Sequence, residues 1–576
     1  MEQFRFTERS DGTYSVKLYS DGGAITSAVG VPSEYDGKPV TELTFGEKTD
    51  ANFQSLTIPE TVREIVFNDD FPFAVKNIFA AELIVDSGNP SYRTDGKALY
   101  SKDGKQLYRL LPRYIEEYEV LPGTEIITTN AFEGLENLGK LSLPEGLREI
   151  STRAFSGCKA LTELYIPSTV RNEAWRNPGH DLISFTGYIV APENPFFRSE
   201  NGVVYSRDMT TLISAPTVMP EKFIVPQSVR RIGDNAFIDR AGPREIVLPE
   251  SCTAIDYSFI RCRRLEKINL ENIRTMDPFA FNNCTSLRSV ELHCDKVPLG
   301  AFNGCSGLTE ARLDCAEIDR EAFIGCRELT AVTFSERTKT IGEEAFDNCT
   351  ALRKLTLPDG LSAIGGKAFC KCPLENVTVP KTVKSVGELA FGRARKVTVY
   401  DTLRIRGNFM WYADSVFSPD RELIVKSAET DNVLYKIWIG YKREDMERFN
   451  KIMSKCFTEN GFDFDLADST FNELSDVLTK AYYAYYRLTN PHPPSPVYAK
   501  EFAVHLRTEG LTIAVNCIIE KRSELIMRLA DYILTLRNIT PIVGLTTKQG
   551  MTELTAFLLD YRNKRLGTPL DDLKLE

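Results

Sequence analysis

The chain has 576 residues, of which 42% are hydrophobic and 26% charged, and its net charge is −10. That length exceeds one compact domain of ~100–200 residues, and the composition excludes global disorder. The acidic balance argues against a nucleic-acid partner, which needs cations along the phosphates. No apolar run reaches the ~18 residues of a membrane span, so no membrane insertion is expected. Residues 1–50 come first: from Ser10 to Leu43, apolar and polar residues alternate between glycine turns, which predicts an N-terminal β cap. The first residues lack the apolar stretch of a signal peptide, and the expected compartment is the cytoplasm.

Residues 51–420 repeat one pattern. An Ala-Phe dipeptide recurs at 131, 154, 236, 280, 301, 322, 345, 368 and 390, with Ser258-Phe259 standing in once. From 258 onward the steps are 22, 21, 21, 23, 23 and 22 residues, and self-similarity at such a period predicts a solenoid. A cysteine follows three residues later in Phe155/Cys158, Phe259/Cys262, Phe281/Cys284, Phe302/Cys305, Phe323/Cys326, Phe346/Cys349 and Phe369/Cys372. In the unit 352–372, Leu352, Leu355 and Leu357 alternate like a strand, and Pro358 ends it. Leu361 with Ile364, and Phe369 with Cys372, complete three inward pairs. One coil cannot close a core alone; stacking at ~4.8 Å buries each pair against its copy. The Phe and Cys positions are therefore read as a structural ladder, with cysteine acting as a small hydrophobe rather than a redox or metal group.

The wording of the unit resembles the bacterial BspA-type leucine-rich repeat, L-x-x-ɸ-x-ɸ-P-x-x-ɸ-x-x-I-G-x-x-A-F-x-x-C. Segments 161–170, 229–237 and 329–349 carry it almost word for word. The resemblance implies a β-rich leucine-rich repeat solenoid.

A longer period runs through the array. Residues 89–100 (NPSYRTDGKALY) align without a gap to 194–205 (NPFFRSENGVVY), an offset of 105 that Ala131/Ala236 and Leu143/Leu248 share. Asn201-Gly202 between apolar runs is a hairpin signal. Two β-hairpin excursions are expected, near 84–112 and 189–216, with Tyr92, Phe196 and Phe197 as a contact surface.

After 420 the period changes, and 421–576 is expected to be an all-α domain. Residues 441–457 show helical spacing, and Asp468 or Ser469 can cap a helix to about Leu488. Asn490-Pro-His-Pro-Pro-Ser-Pro496 reads as a stiff connector. Gly510-Leu-Thr aligns with Gly550-Met-Thr at an offset of 40, which suggests helical hairpin repeats. The stretch from Thr540-Pro-Ile-Val weakly resembles an ankyrin repeat but lacks its histidine.

The four histidines, His180, His293, His492 and His505, sit in no spacing suited to a catalytic dyad or metal set. Neither a P-loop nor G-x-S-x-G nor H-E-x-x-H occurs, and no cofactor is expected. Asp463-x-Asp465-x-x-Asp468 lacks the glycine of a calcium loop and reads as a turn. Tyr482, Tyr483, Tyr485 and Tyr486 surround more than half a helix, so core plus rim is expected. Cys294 and Cys315, each eight residues before a repeat phenylalanine, should stack in adjacent coils, as a packed pair of thiols given a reducing compartment, with a regulatory disulfide as the alternative.

Strand residues between the inward leucines face outward along one sheet. Tyr165 and Arg312 are the candidate anchors of a protein-binding face that includes Lys140, Lys267, Asn269, Glu291 and Lys354. The expected function is a non-enzymatic protein-interaction scaffold with the helical region as a second module. Resemblance to BspA-type proteins also implies a cell-surface adhesin as an alternative. An enzyme with its site in 421–576 is the third.

Overall fold

The structure, a computed structural model, describes residues 4–18, 27–45, 51–67, 78–171, 182–239, 242–405, 421–439, 451–458, 461–490 and 492–567. His180 and residues 441–450 of the expected helix lie outside them. The chain forms two compact units, Met1–Leu287 and Arg288–Glu576.

In the first unit, Phe4–Glu8 pairs antiparallel with Tyr14–Leu18. Tyr14–Leu18 then pairs parallel with Lys38–Phe45, which pairs parallel with Glu64–Val66. Parallel stacking thus begins ahead of residue 51. Phe6 stacks on Tyr35 at 3.8 Å, and Tyr14 meets the same ring edge-on at 5.1 Å, so apolar rings cover this end of the sheet. Later coils contribute two strands each, for example Glu245–Val247 to one sheet and Ala254–Ile255 to another.

The two excursions are three-stranded antiparallel meanders, Tyr92–Thr94, Ala98–Ser101 and Gln106–Leu110, then Phe197–Glu200, Val203–Ser206 and Thr211–Ser214. The last strand of each rejoins the parallel ladder, pairing with Ile126–Ile127 and Arg231–Ile232. They are built alike to the hydrogen bond. Buried Asn89 donates to the carbonyls of Pro59 and Val62 and accepts from the amides of Ser91 and Tyr92. Buried Asn194 does the same with Pro167, Val170, Phe196 and Phe197. Of the three aromatic residues expected as a contact surface, Tyr92 and Phe197 are buried and only Phe196 is exposed. The clamp at each asparagine turns the other two rings into the core.

The Ala-Phe dipeptide forms a corner that recurs along the array, with Ser258-Phe259 standing in once. The Phe132 amide donates to the Ala154 carbonyl at 2.8 Å, and Phe259 to Ala280 at 2.8 Å. Rings stack from coil to coil, Phe132 on Phe155 at 5.5 Å and Phe259 on Phe281 at 4.9 Å. The ladder cysteines are buried among apolar side chains, and their thiols also bond. Cys158, Cys262 and Cys284 donate their thiols to the carbonyls of Phe132, Phe237 and Phe259 at 3.1, 3.0 and 2.9 Å. A thiol placed under a corner carbonyl supplies a weak donor where a methyl group could not. The residue before Ala-Phe adopts positive φ at Asn130, Arg153, Asn235 and Phe279, a left-handed turn that only glycine or asparagine enters cheaply.

The second unit is built on the same coil pattern. Ser289–Leu292, Glu310–Leu313 and Ala331–Phe334 pair parallel. Phe302, Phe323, Phe346 and Phe369 stack at 5.1 Å per step. Cys305 is the first ladder cysteine of this unit and is fully buried. Its amide donates to the Phe302 carbonyl at 3.1 Å, and its carbonyl accepts from the Leu308 amide at 3.0 Å, so its backbone closes the corner turn. In the next coil, burial first and then this neighbouring Cys305 thiol raise the Cys326 thiol well above its usual range.

A last sheet runs Asn376–Thr378, Lys396–Tyr400, Arg421–Lys426 and Val433–Ile439, and its final pairing is antiparallel. That hairpin folds the chain back and ends the parallel ladder, so residues 421–439 are strand rather than helix, and the first described helical residues are 451–456.

Among the described residues seven further α-helices follow: α1 (Phe464–Glu473), α2 (Val477–Leu488), α3 (Pro496–Thr508), α4 (Gly510–Ile519), α5 (Ser523–Ile533), α6 (Ile539–Lys548) and α7 (Thr552–Tyr561). The single helix expected up to Leu488 is two, capped by Asp463 and Asp476, which accept from the amides of Leu466 and Thr479. Asp468 is not a cap; it lies inside α1, fully buried. Gly510 is the first residue of α4, against the Ile533 carbonyl, whereas Gly550 sits in the turn between α6 and α7 at φ 68°, so the two aligned glycines do different work. Among the described residues, no single helix is long and apolar enough to cross a membrane.

Candidate functional site

The outward strand positions fall in separate stretches of sheet. In the first unit, Tyr165 stands opposite Ile189, and the two are 39% and 47% exposed. Lys140 reaches Glu117 at 3.3 Å and Lys267 reaches Glu245 at 3.7 Å. Asn269 is only half exposed, because its amide grips the Leu248 backbone through both N–H and C=O. In the second unit, Glu291 stands opposite Arg312, which bonds Glu310 at 2.8 Å. Lys354 lies beside Asn376. Each stretch thus sets opposite charges side by side, and the first adds one aromatic–aliphatic pair. Exposed ion pairs of this kind contribute about 0–1 kcal/mol each, so they leave the charges available for exchange with a partner. The structural ladder takes no part in these surfaces. Cys158, Cys284, Cys305, Cys326, Cys349 and Cys372 are fully buried, as are the phenylalanines that precede them.

Sequence reasoning missed a larger concavity in the second unit, a cleft of about 880 Å³. One wall is the last sheet, with Arg395, Lys396, Glu422 and Lys436. The other is helical, with Tyr482 and Tyr486 on α2 and Glu520 to Arg528 around the start of α5. Six cations and four carboxylates line it, a local excess of positive charge in a chain of net charge −10. Glu422 sits between Lys396 at 3.2 Å and Lys436 at 2.6 Å, so one carboxylate is shared by two ammoniums. Lys436 also lies over the Tyr486 ring at 5.4 Å. Arg522 donates to the Tyr482 hydroxyl at 3.4 Å. Partial burial, then Asp476, pushes the Glu520 carboxyl above its usual range. The first turn of α5 has no side-chain cap and lines the cleft through Ser523, Glu524 and Leu525. The nearest sequence signal was the run Lys521-Arg522 with Arg528, which carries no motif.

The tyrosine cluster divides as core and rim. Tyr483 is buried, Tyr482 and Tyr486 face the cleft, and Tyr485 packs edge-on against Tyr532 at 6.2 Å. The cleft lining contains neither histidine nor cysteine, hence no nucleophile–base pair built on them. Among the described residues, no group of three or more His, Cys, Asp or Glu is placed to hold a metal ion.

Residues 113–174, 219–326 and 316–413 match the BspA type leucine rich repeat region, in six copies. Similar solved structures include a leucine-rich repeat protein from Eubacterium ventriosum, at 18% identity over 65% of this chain and 93% of that one, with a TM-score of 0.38. One from Bacteroides ovatus shows 21% identity over 70% and 98%, with a TM-score of 0.37. A leucine rich cell surface protein from Faecalibacterium prausnitzii shows 18% identity over 61% and 92%, with a TM-score of 0.33. No curated protein matches.

Proposed function

The repeat array is of the BspA leucine-rich repeat type, and we propose that it serves as a non-enzymatic scaffold that holds a protein partner. The observation that carries this reading is the cleft of the second unit: concave, rimmed by two tyrosines, cationic within an acidic chain, and lined by neither histidine nor cysteine. Such a lining suits a partner segment that presents acidic side chains beside an apolar or aromatic one. The outer sheet, with Tyr165 in the first unit and Arg312 in the second, supplies a second contact area. All thirteen cysteines are buried and outside any disulfide, which favours a reducing compartment, here the bacterial cytoplasm.

Affinity capture from the native organism tests the reading. The full chain should retain a partner that Lys436→Glu with Lys521→Glu releases, while Arg312→Glu separates the contribution of the sheet. If neither variant changes what is retained, both surfaces lose their assignment. Cell fractionation tests the compartment, and a pool exposed at the cell surface would overturn it.

A further inference from the structure

Cys294 and Cys315 stand apart from the phenylalanine–cysteine ladder. Each lies two residues beyond its strand, and the register that sets Leu292 opposite Leu313 brings them together on adjacent coils. Their sulfurs are 3.0 Å apart. The ladder thiols of Cys326, Cys349 and Cys372 instead donate to phenylalanine carbonyls at 3.1–3.3 Å, deep in an apolar core. Cys315 lies 3.9 Å from the Leu292 carbonyl, a contact much longer than the one to its partner thiol. The surroundings differ as well. Arg337 reaches Asp295 at 2.9 Å and Asp314 at 3.6 Å, and His293 lies 3.4 Å from Asp314. The pair therefore sits just beneath a polar surface, with Cys294 7% exposed and Cys315 fully buried.

Geometry favours closure. Adjacent strands lie about 4.8 Å apart, inside the ~4.4–6.8 Å between Cα atoms that a disulfide spans. Sulfurs already at 3.0 Å have about 1 Å left to close to a bond.

We propose that Cys294 and Cys315 form an oxidation site that takes a two-electron oxidant of the peroxide class and closes to an inter-coil disulfide. The balance is simple. Hydrogen peroxide transfers a hydroxyl to one sulfur, its O–O bond breaks, and one water leaves. The second thiol attacks that sulfenic sulfur, the S–S bond forms, and a second water leaves. Two thiols are oxidised by two electrons, and one peroxide is reduced to two waters. A dithiol reverses the step by exchange. The hydrogen bond between the two thiols holds Cys315 below the usual thiol range and raises Cys294, so Cys315 is the thiol of the pair that ionises first. The disulfide would add a covalent staple to two coils that otherwise share ladder hydrogen bonds, packing and exposed ion pairs such as Lys296 with Glu317, so oxidation would stiffen the solenoid where Arg337 bridges two aspartates.

The test is peptide mapping of the native full chain after peroxide treatment. A Cys294–Cys315 linked peptide is expected, with the thiol count falling by two from thirteen and recovering with dithiothreitol. The thermal midpoint of the oxidised chain should rise. Cys294→Ala should abolish both effects, and Cys326→Ala should leave both in place. Three results would each overturn the proposal: no thiol loss at peroxide levels that oxidise glutathione in the same tube, links that join ladder cysteines instead, or a Cys294–Cys315 link that forms only in urea. Mapping of the unmutated chain decides the matter even where an alanine variant fails to fold.

Discussion

Arg487 and Asp468 form an ion pair in which neither side chain reaches solvent. The guanidinium bonds both carboxylate oxygens and donates a further N–H to the His492 carbonyl at 2.9 Å. Its face lies 4.7 Å from the Tyr435 ring. Tyr483 donates to the Ala467 carbonyl at 2.6 Å, so its oxygen accepts from the Tyr435 hydroxyl at 2.8 Å. Tyr435 belongs to the closing hairpin, Ala467 and Asp468 to α1, Tyr483 and Arg487 to α2, and His492 to the connector after it, so one buried network holds the cleft's two walls together. Removing one charge leaves the other desolvated and unpaired, at a cost of roughly 3–5 kcal/mol. Arg487→Met should therefore lower the denaturation midpoint of the second unit sharply, whereas Arg487→Met combined with Asp468→Leu should recover much of the loss. Equal loss in both would show that the pair is not the cause.

The asparagine clamps make a paired prediction. Asn194→Ala leaves two carbonyls and two amides without their partner, and each unsatisfied buried group costs about 1–3 kcal/mol before relaxation. Asn89→Ala should cost a similar amount, because it makes the same four bonds. Urea unfolding of the two variants measures this. A large effect at one site alone would contradict their equivalence.

Ladder thiols should be inert in the native chain. Burial pushes Cys158 up to about 12, and it raises Cys349 as well. Only thiolate reacts with neutral reagents, so native thiol titration near pH 8 should leave the ladder unmodified, while all thirteen cysteines react in denaturant. Cys349→Ala removes the donor to the Phe323 carbonyl and leaves a void, and about 1–2 kcal/mol of stability should go with them.

His505 should set an acid limit on the helical region. Its Nε2 is buried without a hydrogen bond, and the ring packs edge-on against Phe471 at 5.3 Å. Burial first, and Lys480 second, hold its pKa below 6.5, with Glu509 acting weakly the other way. The unfolded chain therefore takes up the proton more readily than the folded one. Stability from the neutral ring is complete above about pH 6.5 and falls as the pH drops below it toward the depressed folded value. His505→Phe should flatten that decline in urea midpoints measured from pH 7.5 to 5.5.

The corner before Ala-Phe offers a gain rather than a loss. Glu321 occupies it at φ 58°, where a side chain with a Cβ is strained by ~1–2 kcal/mol. Asparagine enters this region more easily, so Glu321→Asn should stabilise the second unit by up to about 1 kcal/mol. A lower midpoint would mean that the Glu321 ion pair with Arg320 outweighs the strain.

Local rules made the solenoid readable. The Ala-Phe step, the proline-ended strands and the 105-residue offset are short-range signals, and each became a corner, a strand end or a clamp. Other features carried no local mark. The hairpin Arg421–Lys426 with Val433–Ile439 is an ordinary alternating stretch, and nothing in it says that the second strand turns back antiparallel. Asp468 looked like a helix cap because its partner Arg487 lies nineteen residues away. Asn269 looked outward because alternation says so, yet its amide prefers the neighbouring coil's backbone.

By itself, the amino-acid sequence determined the coil, its period and the identity of the buried ladder. Those follow from the alternation of side chains along a strand and from a repeat that must bury one face against its copy. Only the tertiary structure decided that ladder cysteines act as donors and that cations from residues 395 to 528 converge on one cleft, and it set the 3.0 Å between the sulfurs of Cys294 and Cys315. The physical reason is that these depend on register between coils and on the packing of helices against a sheet edge, and neither is encoded in any short window of the chain.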